Sequence, residues 1–230
     1  MERILLLMAV DTYQDAESAL QSAQENAAAP QRVSYGCILR EEPDESALAA
    51  MRALGTVLFL APAQGAWHAF PDLWQGEGFV LLVHPAMRFT RHWDIGLLHA
   101  LRLCRPDAEK RAVLTGFLPT PDDPVDAVSP VAAEGFDEGG CLCFHPGTPL
   151  RYARQPELSA FLHPAFCFAP AAFFQDMAGA EAPLFLAAFE REWMLFTLHK
   201  PLIHLAWGCP IAPCPIPEGT GSAEALARFG

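Results

Sequence analysis

The residues of this chain best suited to chemistry cluster in one stretch, Trp74-Gln-Gly-Glu-Gly-Phe-Val-Leu-Leu-Val-His-Pro-Ala-Met-Arg-Phe89, followed by Trp93-Asp94. His84 closes an apolar run, so it stands at a strand end, where an imidazole can ligate a metal, meet a phosphate or simply bond to backbone. Arg88 offers a guanidinium fork that fits a diphosphate bidentately or forms a surface ion pair. Asp94 opens a helical pattern, where the helix dipole stabilises a carboxylate. Asp11, Tyr13 and Asp15 end the first apolar run, with Asp15 near the N-cap position of the next helix. Cys141, Cys143 and His145 alternate and therefore share one face of a strand. That spacing can seed a zinc site, but no fourth ligand stands at a recognisable distance, and buried cysteines are the better account of it. Glu192 reads as a partly exposed helix carboxylate.

Other chemistries lack their residues. The chain contains no Gly-x-Ser-x-Gly elbow, no phosphate loop ending in Gly-Lys-Ser/Thr, no Gly-x-Gly-x-x-Gly and no His-Glu-x-x-His. These absences lower the hydrolase, nucleotide triphosphatase, dehydrogenase and metalloprotease readings. With 15 basic against 27 acidic residues and a net charge of −12, the chain lacks the basic footprint that nucleic acid or an anionic membrane requires. A nucleotide would have to be held locally, by loop amides, a few arginines or a metal.

The elements that must position these residues follow from hydrophobic patterning. A chain that is 52% hydrophobic and 18% charged can bury a sizeable core. Ile4 to Val10 is too short for a membrane span, lacks a cleavage site and reads as a buried first strand. With no secretion signal, the protein is expected to be cytoplasmic, with most of its seven cysteines reduced and buried. Strands are predicted at Arg3–Val10, Arg32–Leu39, Thr56–Leu60, Phe79–Val83 and Arg111–Phe117. Helices are predicted at Asp15–Ala28, Glu45–Leu54 and Trp93–Leu103, the pattern of βαβ units around a largely parallel sheet. Functional loops in such a sheet sit at the carboxyl ends of strands, here Asp11–Gln14, Ala61–Gly65 and His84–Arg88. Pro119 to Gly140 is polar and aperiodic, as a lid or functional loop would be. Later, Cys141–His145, Ala165–Phe168 and Leu202–Trp207 read as strands and Phe185–Leu198 as a helix. No internal repeat is read. Residues 1–208 are expected to form one domain, and residues 209–230 a proline-rich tail.

The stretch 74–94 resembles the signature of the GlcNAc-transferase-like family that includes the enzymes glycosylating hydroxyproline of a ubiquitin-ligase subunit. That signature runs aromatic-x-Gly-Glu, a strand, Asp-Ser-His-Met-x-Phe, then Trp-Asp. Gly76, Glu77, Phe79, Met87, Phe89, Trp93 and Asp94 stand where it wants them. Tyr13 and Asp15 resemble its Tyr-x-Asp turn, and Ala27 to Val33 resembles the approach to its second strand. Ala165–Phe168 with Phe173 resembles its Ala-Gly-Phe-x-Phe strand. Phe189 to Glu192 resembles its Phe-x-Gly-Glu-Glu helix start, with only the second glutamate kept. The likeness runs over most of residues 3–205.

The resemblance implies an α/β, GT-A-like nucleotide-sugar transferase fold, a single domain with a mixed, mostly parallel central sheet. It implies transfer of GlcNAc or a related hexose from a UDP-sugar to a protein or glycan hydroxyl. Asp11, Tyr13 and Asp15 would then lie by the base and ribose, Arg88 by the diphosphate, His84 at the metal, and Glu192 at the acceptor or sugar as the catalytic carboxylate. The departures from the pattern are as informative as the matches. The family's Asp-Ser-His holds a divalent cation against the donor's phosphates, and here the triplet is His84-Pro85-Ala86. Histidine is a poor Mg²⁺ ligand and a tolerable Mn²⁺ one, and alanine binds nothing. The arginine of the family's Gly-Pro-x-x-Ala-Arg loop is also missing from Ala61–Ala66. The alternative to an active transferase is therefore a catalytically inactive relative that binds a nucleotide sugar or a partner protein.

Overall fold

The computed structural model describes residues 2–10, 13–39, 44–53, 56–60, 66–104, 111–123, 125–136, 142–163, 165–178, 180 and 184–205. Four strands open the chain: β1 (Ile4–Val10), β2 (Val33–Leu39), β3 (Thr56–Leu60) and β4 (Phe79–Val83). β1, β2 and β4 are near-continuous buried runs, as expected of strands covered on both faces. Alternation along β1 sorts its side chains. Ile4, Leu6, Met8 and Val10 join one core cluster, while Leu5 and Leu7 join another.

Helices form the outer layers. The first cluster takes α1 (Tyr13–Asn26), α2 (Glu45–Ala53) and α4 (Trp93–Arg102). In α1 the buried Ala16, Ala19, Leu20 and Ala23 recur at helical spacing and face the sheet. The second cluster takes α3 (Ala66–Leu73), α5 (Ala171–Met177) and α6 (Leu184–Glu190), through Phe70, Leu73, Phe173, Phe174 and Phe185. Between α3 and α4 comes the short β5 (Met87–Phe89). The rest of the chain adds β6 (Ala112–Thr115), β7 (Val131–Phe136), β8 (Leu142–Pro146), β9 (Glu157–Leu158), β10 (Phe166–Pro170), β11 (Met194–Thr197) and β12 (Ile203–Leu205).

The central sheet has eight strands in the order β3-β2-β1-β4-β10-β6-β11-β9. β1 runs parallel to β2 and β4, β2 to β3, and β6 to β11, whereas β10 is antiparallel to both of its neighbours. The carboxyl ends of β1, β2, β3, β4, β6 and β11 therefore share one edge, and β10 begins there. The mixed, mostly parallel α/β sheet expected from the sequence is present. β5 pairs antiparallel with β12, and β7 with β8.

Three expectations are corrected. The helix expected over Phe185–Leu198 ends at Glu190, and β11 follows. Glu192 turns the chain at φ 60°, and the buried Trp193 anchors it by donating Nε1–H to Asp176 Oδ2 at 2.8 Å. The aperiodic Pro119–Gly140 contains β7, whose ladder with β8 is broken by a bulge between Ala133 and Gly135, with Gly135 at φ 148°. Two helices were not expected: α3, which carries Pro71 inside it, and α5. The proposed tail from residue 209 lies outside the described residues. No helix among those described is long and apolar enough to cross a membrane.

Candidate functional site

The carboxyl edge of the sheet gathers an unusual set of side chains. β4 leaves it into His84, β6 into Gly116 and Phe117, β11 into Leu198 and His199, and His163 precedes the start of β10. The His84 N–H donates to the Ala165 carbonyl oxygen at 3.1 Å, extending the β4–β10 ladder to this edge. The His84 Nδ1 accepts from the Ala86 N–H at 3.1 Å, and the His163 Nδ1 accepts from the Ala165 N–H at 3.2 Å. Both histidines thus cap the amide two residues on. Both stand in the tripeptide His-Pro-Ala.

Thr115 binds these strands together. Its buried Oγ1 accepts from the His163 N–H at 2.8 Å and donates to the Phe166 carbonyl at 3.1 Å, and its own carbonyl takes the Leu198 N–H at 3.0 Å. The Phe117 ring meets the His163 ring edge-on, with centroids 4.3 Å apart. Gly116 allows the tight exit from β6, for at φ 138° a Cβ would come within 2.7 Å of Val128 Cγ1 and 3.1 Å of the Ser129 carbonyl.

Burial disfavours the protonated form of the histidines at this edge. Burial, and secondarily the nearby His84, lower the His163 pKa to about 4. Burial lowers His84 as well, and burial followed by Lys200 and His99 lowers His199. The Thr197 hydroxyl and the His199 Nδ1 are buried without a partner among the described residues.

The structure brings some of the sequence-predicted residues together and separates others. Arg88 sits on β5 between the buried Met87 and Phe89 and so faces away from the core. Its Nη1 donates to the Met87 carbonyl at 2.8 Å and the Pro85 carbonyl at 3.4 Å, which keeps it beside the His84 turn. Across the ribbon from it lies His204, whose Nε2 is 2.8 Å from Asp126 Oδ1. Asp11 lies outside the described residues. Tyr13 and Asp15 form the first turn of α1 at this edge, and their side chains lie outside the description.

Glu192 stands apart from this edge. It precedes β11, at the amino edge of the sheet, and its side chain is 84% exposed and 3.9 Å from Arg111. It is therefore separated from His84 by the length of the strands. Glu77 and Asp94, two residues of the resemblance, also have structural work at the amino edge. Glu77 accepts from Arg3 at 3.2 Å and from the Gln75 N–H at 2.8 Å. Asp94 accepts from the Ala28 and Ala29 N–H groups at 2.8 and 2.9 Å. Cys141 lies outside the described residues, and the exposed His145 on β8 has its Nδ1 3.0 Å from the Pro146 carbonyl.

A divalent cation does not fit the described residues of the 84–86 turn. Ala86 has no donor atom, and the His84 Nδ1 lone pair is already spent on an amide. A neutral ring in that state carries its proton on Nε2 and has no lone pair there for a metal. Among the described residues no group of three His, Cys, Asp or Glu side chains is placed to hold a metal. The role of metal ligand expected for His84 is thus not the one its geometry gives it. Sequence reasoning missed Thr115, His163 and His199. The second His-Pro-Ala, at residues 163–165, was the available signal for His163.

No family model matches the chain, and no curated protein matches it significantly. Solved structures do match. GalNAc-T7 with UDP, GalNAc and Mn²⁺ aligns over 99% of this chain and 47% of its own, at 11% identity and a TM-score of 0.59. TarS 1–349 of S. aureus in complex with UDP-GlcNAc aligns over 90% and 58%, at 10% identity and a TM-score of 0.56. The mannosyltransferase PcManGT of Pyrobaculum calidifontis, with GDP-Man and Mn²⁺, aligns over 85% and 54%, at 10% identity and a TM-score of 0.52. The chain spans about half the length of these structures. At such identities the likeness establishes the fold, which is the GT-A fold of nucleotide-sugar glycosyltransferases.

Proposed function

We propose that this chain binds a nucleotide sugar at the carboxyl edge of its sheet and transfers the sugar to a hydroxyl. The donor in this reading is a UDP-hexose such as UDP-GlcNAc, and the acceptor is a protein or glycan. One observation carries the reading: the His84 turn and Arg88 lie where strands of a GT-A sheet deliver their carboxyl ends. The structural neighbours described above were solved with UDP, GDP-Man or UDP-GlcNAc. Asp11, Tyr13 and Asp15 serve the base and ribose, and Arg88 presents a permanent cation to the diphosphate. No step is assigned to Glu192, given its place at the far edge.

A second reading is a non-catalytic nucleotide-sugar binder. The specific observation favouring it is the His-Pro-Ala triplet, which replaces a carboxylate and an imidazole of the resembled motif. Calorimetric titration with UDP, UDP-hexoses and GDP-mannose, paired with an assay for released nucleoside diphosphate, separates the readings. Micromolar binding with donor cleavage supports the transferase. Binding without cleavage in the presence of hydroxyl acceptors leaves the binder. No binding at millimolar ligand removes both.

A further inference from the structure

Among the described residues one histidine is bonded unlike the rest. His84 and His163 each spend Nδ1 on the amide two residues on, and His145 has its Nδ1 at the Pro146 carbonyl. His199 leaves its Nδ1 buried without a partner among those residues. His204 is the one that meets a carboxylate, with its Nε2 2.8 Å from Asp126 Oδ1. An ionised carboxylate only accepts hydrogen bonds, so the shared proton belongs to Nε2. The neutral ring then carries its lone pair on Nδ1, to which nothing among the described residues bonds.

The fold sets this ring beside Arg88, the cation proposed for the diphosphate. β5 and β12 pair antiparallel with His204 directly opposite Arg88. Met87, Phe89 and Ile203 are buried on the inner face of the ribbon, so Arg88 and His204 share its outer face. Residues opposed in this way have Cβ atoms about 5 Å apart. Asp126 comes from the segment between β6 and β7, whose ends are clipped together by the Phe117–Ser129 bridge at 2.8 and 3.0 Å. The Leu205 N–H donates to the Pro119 carbonyl at 2.9 Å and ties that segment to β12. Within it Asp123 Oδ1 accepts the Val125 N–H at 2.8 Å, just ahead of Asp126. Carboxylate, imidazole and guanidinium thus come together from three elements, and the His204 side chain stays 18% accessible.

We propose that His204 is the general base of the transfer and that Asp126 is the positioning residue that orients it. This deepens the transferase reading above and rests on it. His204 Nδ1 takes the proton of the acceptor hydroxyl as the hydroxyl oxygen bonds to the anomeric carbon of the donor. The bond from that carbon to the diphosphate oxygen breaks, and its electron pair leaves with the nucleoside diphosphate beside Arg88. The proton then passes from His204 to solvent. Asp126 fixes the Nε2–H tautomer and stabilises the imidazolium that forms, which is what a carboxylate does for a histidine that activates a nucleophile. The place of a base is open in this chain, because Glu192 lies at the far edge of the sheet.

The test measures nucleoside diphosphate release from UDP-hexoses and GDP-mannose, with water and then methanol as acceptor, alongside calorimetric binding of UDP. His204→Gln is expected to lower kcat about 100-fold, the low end of what a general base supplies, and to bind UDP as the wild type does. Asp126→Asn is expected to lower kcat by a smaller factor and to move the acid limb of the pH–rate profile to lower pH. The sign follows from charge: the carboxylate favours the imidazolium, so without it the ring remains a free base at lower pH. Arg88, the other charged group facing His204, opposes the imidazolium in wild type and variant alike. Added imidazole is expected to restore part of the rate to His204→Ala, which a mere clasp between β12 and residues 117–129 would not allow. Unchanged turnover in His204→Gln, or an acid limb that stays in place in Asp126→Asn, overturns the base while the transferase reading survives. A wild type that binds these donors and releases no nucleoside diphosphate removes both. Should the variants fail to fold, nitrogen spectra of the wild-type imidazoles decide. An Nε2–H tautomer of His204 that titrates at the pH of the acid limb supports the base, and an Nδ1–H tautomer or a titration away from that limb overturns it.

Discussion

The two edges of the sheet bury different polar side chains. At the amino edge the buried carboxylates have their acceptor capacity engaged. Glu77 holds Arg3 and the Gln75 amide, and Asp94 holds the amides that lead from α1 toward β2. The exposed Asp176 takes the Trp193 indole N–H before β11. At the carboxyl edge the buried polar residues are Thr115, Ser129, His163, Thr197 and His199, all uncharged in the folded state or depressed in their basicity. Thr197 Oγ1 and His199 Nδ1 have no partner among the described residues, and neither do Arg32 Nε and the Tyr35 hydroxyl by the start of β2. Carboxylates saturated in this way fix chain geometry. The contrast explains why so much of the resemblance in residues 74–94 turns out to be architectural. Trp93, for instance, is fully buried and spends its indole N–H on the Ala23 carbonyl at 2.8 Å.

The contrast can be broken at several points. The largest effect is expected from Asp94→Ala, which removes the two hydrogen bonds a buried carboxylate accepts and should cost roughly 3–5 kcal/mol in denaturant unfolding. A loss below about 1 kcal/mol would mean that the amino edge does not depend on its carboxylates.

Next is acid. The His163 pKa falls from an unfolded 6.5 to about 4 in the fold, so between these values the unfolded chain binds more protons. Stability must therefore fall as pH drops through 6.5 and stop falling from this source near 4, a total of roughly 3 kcal/mol. His163→Asn should flatten that portion of the stability–pH curve. An equally steep curve in the variant would assign the acid sensitivity to other groups.

The smallest effect belongs to Glu192→Ala. An exposed pair with Arg111 is worth at most about 0.5 kcal/mol, and donor binding should not change. A large loss of turnover in a stable Glu192→Ala protein would return this residue to the site and blur the distinction between the edges.

Much of the architecture was legible in the sequence because burial on both faces makes each inner strand a continuous apolar run. β1, β2 and β4 begin and end within a residue or so of their expected limits for that reason. β11 was not legible, since Phe185–Leu198 is largely apolar on both sides of Glu190-Arg191-Glu192 and the break depends on a left-handed Glu192 and on Trp193 finding Asp176. β7 was hidden by its proline- and aspartate-rich approach, and α3 by its internal Pro71. At the site, His84 and Arg88 stood out by position. His163 did not, because its meaning lies in a contact with the other half of the chain. Asp94 was read correctly as structural, but its partners are loop amides of another helix, which no local pattern could reveal.

The reversed direction of β10 also orders events in time. The β1–β4 portion closes by short connections, whereas β10 must return from late in the chain and slide between β4 and β6. Such long-range closure is slow, because the loop entropy is lost before the ladder compensates. Until it happens, the His84 amide has no Ala165 to meet and the two turns do not exist as a pair. Refolding should therefore restore helical dichroism before it restores UDP binding. If the two signals return together, insertion of β10 is not the late step.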